Sequence, residues 1–329
     1  MAAHEIDTVA ARRRPGSRWI LTTHLNPDGD GIGSQAGFAA WLRRGGAEVR
    51  IVNRDAIPGT LRFLDPEGCI EVYDPAEHDA PIAEADAVVM LDNSDPARLG
   101  EMEGAVRAAR GLKICIDHHP EPDPMWDLLL VDPEASCTAE IVLRLFEATG
   151  DPVDRDAATA LYAALVSDTG RFRFGNTDAD AFRMAAKLVA AGASPAEVYA
   201  RLEERFSAAF LVLLGRMLAD LEVRAGGRLL VLRTPADFEG ALGPAGEDLS
   251  EVINLALRSS ESRVAVLFRP LGPDRTKISL RSKGRLDVNR LARAHGGGGH
   301  RNASGIVMEA GLEEAAARLL PELERLVTG

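Results

Sequence analysis

His24, Asp28 and Asp30 fall within the stretch His24-Leu25-Asn26-Pro27-Asp28-Gly29-Asp30-Gly31. One imidazole and two carboxylates in a single turn can hold a divalent cation. An Asp/Gly-rich turn with a helix cap accounts for Asp28 alone. It leaves the His, four residues before one Asp and six before the other, without a role. Three further acidic clusters follow: Asp92 with Asp95 nearby, Asp117-His118-His119, and Asp168 in Ser167-Asp168-Thr169-Gly170. Singly, Asp92 or Asp168 reads as a cap and His118 as a satisfied core histidine. Four such clusters, two of them with His, read together as one site.

The elements that must position them are legible from hydrophobic patterning. Trp19–Thr23 is apolar and β-branched, a buried strand. Ile32–Leu42 has helical spacing and stops at Gly45-Gly46. Short apolar runs recur at Glu48–Asn53, Cys69–Tyr73, Asp86–Asp92, Leu112–Asp117 and Asp127–Val131, with helices between them, among them Pro96–Ala109 and Thr138–Thr149. This alternation predicts a mostly parallel sheet with right-handed crossovers. Successive strand ends then share one edge, where α/β sheets bind ligands. The first three clusters must meet there, and Asp168 ends an apolar helix. The glycines are expected to keep the first loop narrow, so that a metal or phosphate can approach the backbone.

Crowded carboxylates repel one another and take up protons unless cations neutralise them. Asp28, Asp30, Asp92 and Asp168 supply a formal −4, matching two divalent ions. Mixed carboxylate and imidazole donors suit Mn2+ first, with Mg2+, Fe2+, Co2+ or Zn2+ as alternatives. Two such ions about 4 Å apart serve in-line hydrolysis at phosphorus.

At 329 residues, the chain is long enough for two domains with separate cores. The expected division is an extension at 1–18, frayed or helical, a metal-binding domain at 19–189, a helical linker at 190–222 and a smaller α/β domain at 223–329. Residues 154–206 read as helical except for Arg171-Phe172-Arg173-Phe174, and a further helix is expected over Ser207–Val223. In the last domain strands are expected at Arg228–Arg233, Arg263–Arg269 and Lys277–Arg281, with helices near Leu249–Ser259, Asp287–His295 and Leu312–Val327. Arg12-Arg13-Arg14 is followed by no apolar run, so no secretory signal is read, and no stretch reaches the length of a membrane helix. Three widely spaced cysteines fit a reducing cytoplasm.

The net charge of −12 disfavours coating of long nucleic acid. The segment from Arg263 to Arg301 is different, with ten Lys/Arg against two Asp/Glu. A basic segment in an acidic chain implies a short anionic ligand held at a chosen place. Arg281 can fork onto a phosphate, and Gly296–Gly299 beside His300 can offer backbone N–H groups to an anion. A flexible linker is the plainer reading of the glycines, and a solvated strand edge that of Arg281. Arg98, Lys283 and Asn254 read as surface or capping residues.

The motifs His24-x3-Asp28-x-Asp30, Asp92, Asp117-His118-His119 and Ser167-Asp168-Thr169-Gly170 resemble the four motifs of the DHH phosphoesterase superfamily. Ser279-Leu280-Arg281-Ser282-Lys283-Gly284 and Gly296–Gly305 resemble its DHH-associated C-terminal domain. Order and length are similar to the bifunctional oligoribonuclease and 3′-phosphoadenosine 5′-phosphate (pAp) phosphatase family. The resemblance implies one ion on His24, Asp28 and Asp92 and a second on Asp30, Asp92, His118 and Asp168. It further implies that Asp117 orients His118, that His119 faces the scissile phosphate, and that a metal-bridging water attacks phosphorus. Arg281, Ser282, Gly298, Gly299 and His300 would grip the far end of the substrate, with the catalytic cleft between the domains. The implied substrates are oligoribonucleotides about two to five nucleotides long and pAp, with a homodimer as the assembly.

Rival readings are a phosphodiesterase of cyclic di-AMP or pApA, a family II inorganic pyrophosphatase, a RecJ-like exonuclease and a non-catalytic nucleotide sensor. The GGGGH segment and Asp28-Gly29-Asp30-Gly31 fit the oligoribonuclease type better than the pyrophosphatase, and a RecJ-like exonuclease is expected to be longer, with further nucleic-acid-binding modules. The full ligand set speaks against a sensor.

Overall fold

The computed structural model describes residues 3–204, 206–235 and 249–329. Met1 and Ala2 of the expected extension, Arg205 of the expected linker and residues 236–248 of the expected C-terminal domain lie outside the described residues. The chain divides into two compact units, Met1–Arg205 and Phe206–Gly329.

In the first unit β1 (Arg18–Thr22), β2 (Glu48–Asn53), β3 (Ile70–Val72), β4 (Ala87–Leu91), β5 (Leu112–Asp117) and β6 (Leu128–Val131) form one parallel sheet in the order β3-β2-β1-β4-β5-β6. Both faces are covered, which is why these strands read as unbroken apolar runs. Leu21, Val89, Leu91, Ile114 and Ile116 pack into one core, while Ile20, Val88, Met90 and Cys115 pack into another on the opposite face. The strand order reverses between β1 and β4, so a crevice opens beyond their carboxyl ends.

The first face is covered by α1 (Ala3–Arg12), α2 (Gly29–Arg44), α5 (Thr138–Thr149) and α6 (Arg155–Asp168). The extension is helical and seated, with Val9 fully buried in this core. The opposite core takes residues from α3 (Pro75–Glu84) and α4 (Glu103–Ala108), and α7 (Ala179–Ala190) and α8 (Pro195–Glu203) follow α6. Only α4 forms from the expected helix over Pro96–Ala109. Its first half is a 3-10 turn broken at Gly100, whose φ of 58° no helix accommodates.

Three glycines of α2 serve helix packing. Gly29, Gly33 and Gly37 recur every fourth residue and so share one helix face. A Cβ on them would lie 1.9 Å from Ser167 Oγ, 2.4 Å from the Ala160 carbonyl oxygen and 2.5 Å from Leu161 Cδ2. They let α2 and α6 pack backbone to backbone, which draws the start of α2 against the end of α6.

The second unit holds β7 (Glu222–Arg224), β8 (Leu229–Arg233), β9 (Val264–Gly272), β10 (Arg275–Ser282), β11 (Gly298–His300) and β12 (Ala303–Met308), in the order β11-β12-β10-β9-β8-β7. Neighbours are antiparallel except β8 and β9. α9 (Ala208–Ala219) and the helix Ser250–Ala256 cover one face; the helices Val288–Ala294 and Leu312–Thr328 cover the other. The helix expected over Ser207–Val223 stops at Ala219 because Glu222 belongs to β7, where its carboxylate pairs with Arg224 and, at 2.9 Å, with Arg233 of β8. Gly298 to His300 are paired to β12, which rules out the flexible-linker reading of that part of the glycine run.

Candidate active site

Six side chains from both banks of the crevice converge. His24 follows β1, Asp28 caps α2 and Asp30 lies in its first turn, Asp92 follows β4, His118 follows β5 and Asp168 ends α6. His24 Nε2 lies 3.5 Å from Asp92 Oδ2 and 3.9 Å from Asp28 Oδ1. His118 Nε2 lies 3.8 Å from Asp30 Oδ2 and 3.7 Å from both Asp92 Oδ1 and Asp168 Oδ2. Donor atoms of His24, Asp28 and Asp92 therefore form one cluster and those of Asp30, His118 and Asp168 another. Asp92 stands between them and shares a third cluster with His118 and His119.

Local structure fixes each donor. Asp28 is the N-cap of α2, accepting from the N–H groups of Asp30 and Gly31 at 3.0 and 3.1 Å. The cap and the cluster are thus compatible roles of one side chain. Asp92 holds a left-handed backbone, φ 62°, which a short polar residue tolerates best. Asp30 is bound by the N–H groups of Thr138 and Ala139 at 2.7 and 3.2 Å and by the Ser34 hydroxyl at 2.9 Å. The Thr138 hydroxyl donates to Asp92 Oδ1 at 3.1 Å. Asn176 donates to Asp168 Oδ2 at 2.9 Å and to the Ser136 carbonyl at 2.8 Å.

The imidazoles are oriented from behind. Nδ1 of His118 is 3.3 Å from the Ala135 carbonyl, and Nδ1 of His24 is 2.8 Å from that of Leu25. A carbonyl only accepts, so a proton on Nδ1 of His118 leaves its Nε2 a bare lone pair facing the carboxylates, whereas Nδ1 of His24 has both an acceptor, the Leu25 carbonyl, and a donor, Arg98 Nη2, within reach. Arg98, expected at the surface or in a cap, is exposed and also clamps this turn. Its Nη2 reaches the Leu25 carbonyl at 3.4 Å and lies 2.9 Å from His24 Nδ1. Asp117, expected to orient His118, holds His119. Its Oδ1 accepts from the His119 ring at 2.7 Å and from the His119 backbone N–H at 3.1 Å.

The electrostatics follow from this crowding. Burial, then the charges of Asp30 and Asp28, push the Asp92 carboxyl well above the usual range. Burial and the charge of Asp30 push Asp168 up to about 6. Burial also raises Asp30. Burial acts upward on Asp28 too, but His24 and the capping amides outweigh it and hold that carboxyl low. The hydrogen bond that the His119 ring donates to Asp117 raises His119. His118 Nε2 is buried and has no hydrogen-bond partner, although three carboxylates surround it. A buried lone pair in that position is what a cation would satisfy.

The substrate-binding candidates lie in the second unit. Arg281 sits on β10 opposite Ala265 and Ala303, and its Nη1 donates to the Leu280 carbonyl at 3.0 Å. The Ser282 hydroxyl donates to the Leu286 carbonyl and accepts from Asn302, each at 2.8 Å, so it is committed to locking a turn. Gly298, Gly299 and His300 are exposed on the edge strand β11.

Known proteins carry the same plan. The DHH family N-terminal domain matches residues 18–165, and the DHHA1 domain matches residues 237–329. The bifunctional oligoribonuclease and PAP phosphatase NrnA of Thermus thermophilus is 32% identical over 309 residues, 94% of this chain and 90% of that protein. The chain belongs to the DHH phosphoesterase family.

The NrnA of Bacillus subtilis is 31% identical over 93% of this chain and 94% of its own length. Among solved structures, an exopolyphosphatase-related protein of Bacteroides fragilis superposes with a TM-score of 0.83 at 27% identity, covering 100% of this chain and 98% of that one. DHH phosphoesterases are metal-dependent hydrolases, and the donors here fit that requirement: every one is a carboxylate or imidazole, and a buried imidazole lone pair is left over. Thr138, Ser34, Asn176 and Arg98 do the positioning that sequence reading missed. The available signal was Cys137, a helix N-cap with no oxygen to offer the amides behind it.

Proposed function

We propose that this DHH protein hydrolyses short oligoribonucleotides to mononucleotides and pAp to AMP. The orphaned Nε2 of His118 among the carboxylates of Asp30, Asp92 and Asp168 carries the reading. The activities for which the Thermus and Bacillus relatives are named support the substrate class.

In this reading His24, Asp28 and Asp92 hold one divalent ion, and Asp30, Asp92, His118 and Asp168 a second, with Mn2+ the best match to the donor set. Bound there, the ions supply Lewis-acid activation of phosphorus and of a nucleophilic water. The chain's own residues do the rest. Thr138 and Ser34 fix Asp30, and Asn176 fixes Asp168, so the donors need little reorganisation. His119, kept basic by Asp117, carries positive charge to the phosphate as negative charge develops on it.

Residues 19–189 take the metal-binding role and 190–222 the linker. Within 223–329, Arg281, Gly298, Gly299 and His300 grip a second phosphate, while Ser282, expected among them, holds the turn beside Arg281. Cytoplasmic location and a homodimer complete the proposal. Cys69, Cys115 and Cys137 are free thiols, and no helix among the described residues is long and apolar enough to cross a membrane.

The test is a Mn2+-dependent panel of pAp, pApA, cyclic di-AMP, a short and a long RNA, and pyrophosphate, with Asp92→Ala beside the wild type. Release of AMP from pAp and mononucleotides from the short RNA, lost in the variant, is the expected result. Turnover of pyrophosphate alone would overturn it, as would cleavage of cyclic di-AMP with pAp and RNA untouched.

A further inference from the structure

The run Arg171-Phe172-Arg173-Phe174, a break between helices in the sequence pattern, is a tightly built loop fastened to the metal-ligand candidate Asp168. Its far end returns through Asn176, whose amide bonds both the carboxylate and the backbone carbonyl of Asp168, at 2.9 and 3.2 Å. Inside it the Thr169 carbonyl accepts the N–H groups of Arg173 and Phe174 at 2.9 and 3.0 Å. Arg173 Nε donates to the Gly170 carbonyl at 2.7 Å.

Two successive non-glycine residues, Arg171 and Phe172, hold left-handed backbone at φ 62° and 60°. Bulky residues adopt that region only where the surroundings impose it. Phe172 explains half of the arrangement: its ring packs on the core and stacks on Phe182 at 5.2 Å.

Phe174 is the other half. Its ring lies on Gly170, where a Cβ would be 2.4 Å from Cζ. The side chain is nonetheless 56% exposed. The Arg173 guanidinium stands 5.9 Å from the ring centroid. Arg171, at the start of the loop, lines a cavity of about 350 Å3 together with Asp28 and Asp168. An exposed aromatic ring beside an arginine, rigidly backed and tied to a phosphate-processing site, is the arrangement on which nucleobases stack.

We propose that Phe174, with Arg173 beside it, is the stacking platform for the nucleobase of the nucleotide whose phosphate is cleaved. This rests on the nucleotide reading above and adds to it the part of the first unit that holds the base. Stacking uses the π-face every base has, so the platform is tolerant of base identity and contributes about a tenfold gain in affinity or more.

The test separates base recognition from turnover. Dissociation constants are measured by calorimetry in Ca2+, on the full chain, for pAp and for its base-free analogue 1-deoxyribose 3,5-bisphosphate. Wild type is expected to prefer pAp by about tenfold or more. Phe174→Ala and Phe174→Leu should bring that ratio near one, the second keeping apolar cover on Gly170, and Phe174→Tyr should keep it. In Mn2+ the same substitutions should raise KM for pAp with little change in kcat. An unchanged ratio in the correctly folded Leu variant would overturn the proposal, as would equal loss in the Tyr variant. If wild type shows the base preference but turns over no nucleotide, the hydrolase reading fails and the platform stands.

Discussion

The carboxylate of Asp30 accepts the backbone N–H of Thr138 at 2.7 Å, although 108 residues separate the two. It does at the start of α5 what an N-cap side chain ordinarily does, since Cys137 makes no side-chain cap bond. A helix N-terminus favours a carboxylate, and here that preference fixes a metal-ligand candidate in place. The same helix start reaches Asp92 through the Thr138 hydroxyl.

Asp92→Asn is expected to stabilise the metal-free protein while abolishing activity. The buried Asp92 charge is opposed by Asp30 and Asp28, and asparagine removes it. Asparagine also suits the φ of 62° and can still accept from Thr138. A thermal melt in chelator should show a higher Tm than wild type, and the Mn2+-dependent assay no turnover. A lower Tm in chelator would show that the crowding costs the fold nothing.

The metal-free protein should gain stability as pH falls from about 7 toward about 5. Folded Asp168 binds its proton near 6 against an ordinary value of 3.8, so in that window the folded state holds more protons than the unfolded one. Lowering pH therefore favours folding through this group, and the gain is lost as pH rises through 6. The measurement is the Tm difference between wild type and Asp168→Asn in chelator at both ends of the window. It should shift in favour of wild type at the acidic end, and a constant difference would refute the assignment.

Asn176→Ala removes the amide that holds Asp168 and should lower activity about ten- to a hundredfold, the usual cost of losing a ligand's supporting hydrogen bond. Excess Mn2+ should recover part of it. Full activity at limiting Mn2+ would mean that Asp168 needs no support.

Gly33→Ala should destabilise the first unit by about 1–3 kcal/mol, the usual cost of overpacking. The new methyl would lie 2.4 Å from the Ala160 carbonyl oxygen and 2.9 Å from Ala164 Cβ, so α2 and α6 must part. Gly104→Ala on α4, with nothing within 4 Å, is the control and should be neutral or stabilising. Mn2+ titration should show weakened binding for the first variant alone.

The parallel sheet was legible because strands such as β4 are buried on both faces, and five apolar residues in a row admit few other readings. The convergence of Asp92 and Asp117 then followed from strand direction. β7 was not legible: Glu222-Val223-Arg224 is held by ion pairs, and its apolar member is exposed. Nor was β11, whose glycines carry no strand preference and are ordered by pairing with β12. The candidate ligands could be named from residue type and spacing. Their supports could not, because Thr138, Ser34 and Asn176 are small polar residues that look like any cap until the fold brings them to a carboxylate. Asp117 shows the same limit within one motif, since only the turn after β5 decides which of two adjacent imidazoles it reaches.

The six donors come from β1, α2, β4, β5 and α6 or the turns beside them, so no fragment of the first unit can assemble the set. An ion that binds only the finished arrangement adds its binding free energy to folding, about 2.7 kcal/mol at a concentration a hundred times its dissociation constant. Metal supply thereby governs how much protein survives as well as how fast each molecule works. In a cell that degrades loosened chains, scarcity of the ion would thin the population before it slowed the chemistry.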